Sequence, residues 1–132
     1  MGKQVVSIIA CLMATGLVSS LANAQQQALT REALQSVNYP RDNYVSKLVL
    51  VTIAPNAVVG RHKHPGIEMG YVIAGVGTLS IDGQPERLIK AGDSFAIPEG
   101  VVHGLRNTGN RPEQIVSTYV VERNKPLATP SP

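Results

Sequence analysis

The chain has 132 residues, with 12 Lys and Arg against 9 Asp and Glu, a single cysteine and a mean hydropathy of +0.03. This length suits one domain with one hydrophobic core, and the near balance of scattered charges argues against a nucleic-acid partner. A single cysteine excludes an internal disulfide framework.

The first 24 residues are typical of a cleaved export signal. A short basic start at Lys3 precedes an apolar run from Val5 to Leu21, and the segment closes on Ala22-Asn23-Ala24. Small residues on either side of a spacer predict cleavage before Gln25, and hence a periplasmic or secreted protein. The alternative is a membrane anchor, but the apolar run is short and carries hydroxyl residues, so we expect no membrane attachment after cleavage.

Residues 25–44 are polar and weakly patterned, and we predict that they form an N-terminal arm, in which Leu29–Ser36 fits either a short helix or a strand. From 45 to 122, short runs rich in β-branched residues alternate with Gly, Pro, Asn and Asp, which predicts an all-β sandwich or barrel. Residues 123–132 contain three prolines and little to bury, so we predict a flexible tail. The predicted strands are Lys47–Ala54, Tyr71–Ala74, Thr78–Ile81, Arg87–Lys90, Ser94–Ile97 and Gln114–Val121.

All three histidines of the chain fall within two spaced patterns. Side chains two residues apart in a strand project to the same face, so His62 and His64 are expected to lie side by side. A turn after His64 can bring Glu68 across to them, and a second turn can return His103 from a distant part of the chain. The patterns read His62-x-His64-x3-Glu68-x6-Gly75 and Gly92-x5-Pro98-x-Gly100-x2-His103-x3-Asn107.

These patterns resemble the two signature motifs of the cupin superfamily, G-x5-H-x-H-x3,4-E-x6-G and G-x5-P-x-G-x2-H-x3-N. The second motif is matched at every fixed position. In the first, Asn56 replaces the opening glycine, and asparagine tolerates the left-handed backbone that glycine supplies. The resemblance covers residues 45–122 and implies a small single-domain jelly-roll β-barrel of the quercetin-dioxygenase-like type.

The resemblance further implies one divalent transition metal, held by His62, His64, Glu68 and His103. Four polar groups that converge inside a narrow barrel need such a partner to offset their lost hydration. Three imidazoles and a carboxylate suit Mn, Fe, Ni, Co, Cu or Zn better than Ca or Mg, and octahedral coordination would leave two positions for water, substrate or dioxygen. The alternative is a site that has lost its metal and only packs.

Strand alternation, extended from the four candidate ligands, predicts the wall of the pocket. It places Val58 and Gly60 inward and Tyr71 outward, in the core or an interface. The pocket is predicted to be tight and apolar, with Glu68 as its only obvious side chain for proton transfer. The other predicted inward residues are Gly70, Val72, Leu79, Ile81, Phe95, Ile97, Leu105 and Asn107.

Three functions stay open at this point. The resemblance favours a metal-dependent, dioxygenase-like enzyme that acts on a small oxygen-bearing organic substrate, with Glu68 as the catalytic base. A non-oxidative metal isomerase or lyase, and a non-catalytic small-ligand-binding or sensing protein, are the alternatives. Sugar-nucleotide epimerases of this fold use a histidine base in a metal-free site, and no histidine is left over here. We also expect a homodimer, because Tyr71-Val72-Ile73 is apolar on both strand faces.

Overall fold

The computed structural model describes residues 28–132, so the predicted signal peptide at 1–24 lies outside the described residues. Within that range every regular element is a β-strand. These strands are β1 Leu29–Val37, β2 Tyr44–Ile53, β3 Val58–Lys63, β4 Gly66–Ala74, β5 Val76–Ile81, β6 Arg87–Lys90, β7 Ser94–Ile97, β8 His103–Asn107, β9 Glu113–Glu122 and β10 Thr129–Pro130. Residues 28–132 include no helix of the length and apolarity that a membrane span needs.

The strands form two five-stranded antiparallel sheets. The first has the order β1-β2-β9-β4-β7 and the second the order β10-β3-β8-β5-β6, so the chain crosses repeatedly between sheets. Their inner faces share one hydrophobic core, to which β2 and β9 of the first sheet and β5 and β8 of the second contribute. This arrangement is a jelly roll, and it confirms the predicted all-β fold class.

Alternation of side chains along the strands places polar residues inside this core. In β4, Glu68 and Val72 are buried while Met69 and Tyr71 point outward. In β9, Glu113, Ser117 and Tyr119 share the buried face with Ile115 and Val121. Successive residues of a strand point to opposite faces, so residues two positions apart share one face whether they are polar or apolar. The polar residues on these inward faces are available to build a site.

A β-bulge in β3 overturns part of the predicted pocket wall. Three residue steps along β3, from Val59 to His62, match only two steps along β8. The extra residue reverses the alternation, so Val59 is buried, whereas Val58 is 55% exposed and Gly60 is exposed. The prediction that Val58 and Gly60 face inward was therefore wrong, because alternation from the histidines cannot register an inserted residue.

The remaining predictions of side-chain direction agree with the structure, although few of these residues line the cavity beside the histidines. Asn56 has a φ of 63°, the left-handed conformation expected of a residue that replaces the opening glycine. Tyr71 points outward and is 51% exposed. Of the residues predicted to point inward, Leu79, Phe95 and Leu105 line the cavity. The others are buried but do not line it: Gly70, Val72, Ile81, Ile97 and Asn107.

Both ends of the described chain join the sheets. The arm forms β1, which pairs along β2. Of the two structures that the sequence left open for this segment, a short helix or a strand, it adopts the strand. The tail differs from the predicted flexible segment, because β10 pairs with His62 and Lys63 of β3. The backbone N–H of Ser131 also donates to the carbonyl of Arg61 at 3.0 Å. The edge of β3 has backbone groups that need hydrogen-bond partners, and pairing with them orders the tail. The composition of the tail does not reveal this interaction.

One buried carboxyl group lies in the core without a polar partner. Glu113, at the start of β9, is 0% exposed, and neither of its carboxyl oxygens has a hydrogen-bond partner among the described residues. Its carboxyl group lies against Gly77, where any side chain would collide with it. Burial raises the pKa of Glu113 to about 7, so the folded protein favours the protonated form below about pH 7.

We predict that Glu113→Gln stabilises the protein in a pH-dependent way. Between the ordinary pKa of 4.5 and about 7, the unfolded chain releases this proton while the folded protein keeps it, so stability falls as the pH rises through that window. The full shift corresponds to at most about 3 kcal/mol. The melting temperature of the variant should therefore exceed that of the wild type at about pH 8 but match it at about pH 4.5.

The matched control for this prediction is Glu86→Gln, because Glu86 is exposed. This control should melt at the wild-type temperature at both pH values. If the wild type and Glu113→Gln differ equally at both pH values, the carboxyl proton of Glu113 is not the cause of the difference.

Candidate metal centre

The two histidine patterns converge on one point between the sheets. His62 lies near the end of β3, His64 follows that strand, and His103 opens β8 of the same sheet. One nitrogen atom from each ring lies within 4.8 Å of the others. Metal–nitrogen bonds are about 2.0–2.1 Å, so a modest contraction of the cluster would let all three rings reach one ion. His64 and His103 are buried, and His62 is partly buried.

Glu68 meets this cluster from β4 of the opposite sheet. Its Oε2 atom lies 3.0 Å from Nε2 of His64 and 3.2 Å from Nε2 of His103, and its Oε1 atom accepts a hydrogen bond from the Ser117 hydroxyl at 2.8 Å. Burial raises the pKa of Glu68, but hydrogen bonds donated by His103, His64 and Ser117 outweigh burial and hold that pKa well below its usual range when the Nε2 atoms of the two rings carry protons. Glu68 is therefore a carboxylate in the folded protein.

In each of the three histidine rings, the Nδ1 atom contacts a backbone carbonyl. A carbonyl oxygen can only accept a hydrogen bond, so each Nδ1 atom donates, and in a neutral imidazole the Nε2 atom then carries no proton. This is the arrangement in which protein histidines commonly bind metals. The Nδ1-to-oxygen distances are 2.7 Å for His62 to Gly60, 2.6 Å for His64 to Leu127 and 3.0 Å for His103 to Val101.

The donor set fits a bound cation. Unprotonated Nε2 atoms and the Glu68 carboxylate all present lone pairs toward one small buried space. Close approach of buried lone pairs is unfavourable unless protons or a metal ion lie between the groups. Burial lowers the pKa of His62, although its hydrogen bond to Gly60 opposes that change, so this ring favours the neutral form that a metal requires. The residues present therefore match the chemistry of a divalent transition metal.

A small cavity lies beside the cluster. The space open to the centre of a water molecule is about 30 Å³. His62, Glu68 and His103 line one side of it. Most of the remaining lining is apolar, which confirms the expected character of the pocket and limits the access of water. The apolar lining residues are Val51, Ile53, Val59, Leu79, Phe95, Leu105 and Ile115.

Three polar residues of this lining were not predicted from the sequence: Arg31, Ser117 and Tyr119. Strand alternation in β9, anchored at Ile115, would have found Ser117 and Tyr119. Arg31 lies on β1, for which the sequence did not decide the secondary structure. Burial raises the pKa of Tyr119, and the nearby charge of Glu68 adds to the shift, so the phenol stays protonated. The ring of Tyr119 packs edge-on against His64 with 5.0 Å between centroids.

We predict that His64→Ala and His103→Ala each abolish stoichiometric metal binding. Each substitution removes a buried nitrogen donor and leaves a gap that Ala cannot fill. Elemental analysis and titration calorimetry with cobalt(II) should give one metal per chain for the wild type and a loss of affinity of at least about 100-fold for the variants. Lys63→Ala is the matched control, because Lys63 is exposed between the two histidines of the first pattern. Full occupancy of either histidine variant would contradict the assignment.

Comparison with known proteins bears on the identity of this fold. The transcriptional regulator PuuR of Escherichia coli K12 is 33% identical over 88 residues, which cover 66% of this chain and 47% of that protein. An oxalate-binding protein of Thermotoga maritima is 33% identical over 70 residues, which cover 52% of this chain and 57% of that protein. The chain thus spans about half the length of these relatives.

A solved structure and a protein family give the same result. The structure of an oxalate oxidase in complex with the substrate analogue glycolate is similar, with a TM-score of 0.56 and 26% identity, over 64% of this chain and 45% of that one. Residues 49–119, which run from β2 into β9, match the family described as the Cupin domain. The jelly roll, the histidine cluster and this match agree, and the chain belongs to the cupin family.

Proposed function

We propose that this protein is a metal-dependent, dioxygenase-like enzyme that acts on a small oxygen-bearing organic anion. The supporting observation is the position of the cavity, which lies directly against His62, Glu68 and His103 and has Arg31 in its lining. The cationic side chain of Arg31 favours a carboxylate or enolate ligand. The cavity is small enough to favour compounds of a few carbon atoms. Similarity to an oxalate-binding protein and to an oxalate oxidase supports the same class of ligand.

His62, His64, Glu68 and His103 would hold the metal, as the fit of the donor set indicates. When bound, the metal would supply Lewis-acid and redox chemistry at a coordinated substrate oxygen. The apolar wall would exclude bulk water and strengthen electrostatic contacts with the ligand. The guanidinium group of Arg31 would orient the anionic end of the ligand away from the metal.

Glu68 is the proposed base, and Ser117 sets the direction of its carboxylate. The hydroxyl of Ser117 donates to the Oε1 atom at 2.8 Å, which orients the other oxygen toward the cluster. From this position Glu68 could accept a proton from an acidic group of the ligand, such as an enol or a metal-bound hydroxyl.

A non-catalytic binding or sensing protein is the second candidate. The small size of the cavity favours capture of a ligand over turnover. Similarity to the regulator PuuR and to an oxalate-binding protein is compatible with this function. It requires the same metal and the same anionic ligand, so only turnover separates the two candidates.

We predict that the protein loaded in turn with Mn, Fe, Co, Ni or Cu consumes oxygen with at least one small acid or enol, such as glycolate or oxalate. Glu68→Gln should retain bound metal but lower kcat by at least about 100-fold, which is the usual scale for a general base. Arg31→Gln should raise KM by about tenfold or more, with a smaller change in kcat, because it removes one ionic contact with the ligand. Oxygen electrode traces and elemental analysis of the same samples check both expectations.

Two results would change this conclusion. If Glu68→Gln keeps both its metal and full turnover, Glu68 is not the base. If no compound is consumed with any metal, yet oxalate raises the melting temperature of the metal-loaded protein, the binding or sensing function replaces the enzymatic one. Arg31→Gln should abolish that rise in melting temperature, which keeps the anion site testable in either case.

We also propose that the chain forms a homodimer through the outer face of its first sheet. Four apolar side chains of β4 point outward there. Exposed apolar surface of this extent, contiguous along one strand, favours burial against a second copy. These residues are Ile67, Met69, Tyr71 and Ile73, which are 41–51% exposed.

We predict that Met69→Lys shifts the protein from dimer to monomer, because it places a charge at the middle of this apolar face. Light scattering at micromolar concentration should give a mass twice that of the chain for the wild type and a single chain mass for the variant. Leu88→Lys is the matched control, because Leu88 is 64% exposed on β6 of the other sheet. A monomeric wild type, or an equal effect of Leu88→Lys, would contradict this interface.

A further inference from the structure

The ring of His64 is held differently from the other two histidine rings. His62 and His103 each donate from Nδ1 to the carbonyl of the residue two positions earlier, so their partners belong to their own local segments. His64 instead donates to the carbonyl of Leu127 at 2.6 Å, across a sequence separation of 63 residues. One ring of the candidate metal centre therefore depends on the end of the chain.

The segment that carries Leu127 is fixed by several contacts. The side chain of Leu127 packs against the hydrophobic core. Beyond it, β10 pairs with β3, the strand that bears His62. The carbonyl of Pro132 accepts a hydrogen bond from Nε of Arg61 at 3.0 Å, and Arg61 also forms an ion pair with Asp82 at 2.7 Å. These contacts hold the Leu127 carbonyl at hydrogen-bond distance from Nδ1 of His64.

The backbone around His64 is anchored independently of this segment. The N–H of Gly100 donates to the carbonyl of His64 at 3.1 Å, and the N–H of Glu122 donates to the carbonyl of Pro65 at 2.9 Å. The turn after β3 therefore keeps its hydrogen bonds without residues 124–132. What those residues add is a partner for the imidazole, together with cover for a side chain that is 4% exposed.

We propose that residues 124–132 form a C-terminal strap that positions His64 for metal binding, with the Leu127 carbonyl as the positioning group. This inference rests on the proposed metal site. The hydrogen bond that one ring nitrogen makes decides which nitrogen carries the proton. The Leu127 carbonyl keeps a proton on Nδ1, so Nε2 is the nitrogen that faces Glu68 and that a metal can reach. Without the strap, the ring is free to rotate and to place its proton on the nitrogen that the metal needs.

The test compares the whole chain with two variants. One variant ends at Arg123 and lacks the strap. The other, Leu127→Asp in the full-length chain, replaces the apolar anchor with a charge and should release the strap without shortening the protein. Asn124→Ala in the full-length chain serves as the matched control, because Asn124 is exposed and the substitution keeps Leu127, β10 and the contacts of Arg61.

Two measurements read the result. Nitrogen-15 chemical shifts of the metal-free protein report which ring nitrogen carries the proton. We expect His64 to hold its proton on Nδ1 in the whole chain and in the control, and to lose that preference in both variants, while His62 and His103 keep theirs. Titration with cobalt(II) should give a Kd that is about 10–100-fold higher for both variants, the usual effect of removing the partner of a metal-binding histidine.

Unchanged His64 shifts in both variants, or a cobalt Kd within about twofold of the wild type, would overturn the strap. If the shortened chain does not fold, Leu127→Asp still gives either result. If the whole chain fails to bind cobalt, the proposed metal function fails by itself. The ring shifts then still decide whether the strap sets the state of His64, because they are measured without metal.

Discussion

The approach of the Glu68 carboxylate to the rings of His64 and His103 is the interaction on which the rest of the site depends. Glu68 comes from one sheet and the histidines from the other, so this contact exists only when the two sheets are packed in register. Lone pairs from both sides then meet in a space that is closed to bulk water. The two sheets bring together groups that repel one another until protons or a cation lie between them.

The buried position of the cluster also explains the character of the cavity beside it. The same inward faces that carry the candidate ligands carry Ile53, Leu79 and Ile115, so the ligands have apolar neighbours on several sides. In such surroundings a single charged group has a large influence on which ligands bind. Arg31 is that group, and it lies on the strand that the arm adds to the edge of the first sheet. In the proposed function, ligand preference would thus depend on a segment outside the matched family region, residues 49–119.

Much of the fold and the meeting of the candidate ligands could be predicted from the sequence, because both depend on local spacing. Turn residues and strand composition predicted six strands, which overlap β2, β5, β6, β7, β9 and the second half of β4, but this list omitted β3 and β8. The two histidine patterns predicted the groups that meet. Non-local pairing could not be read in this way. The bulge in β3 reversed the faces of Val58 and Val59. The partner of the tail is an open strand edge far along the chain, which the composition of residues 123–132 does not encode.

The contact between His64 and Leu127 has a consequence for the order in which the site is completed during folding. The three histidines and Glu68 all precede Leu127 in the sequence, and β10 pairs only with β3, at the edge of the second sheet. Both sheets through β9 can therefore pair while one imidazole still lacks its carbonyl partner. The site is complete only when the segment that carries Leu127 has docked.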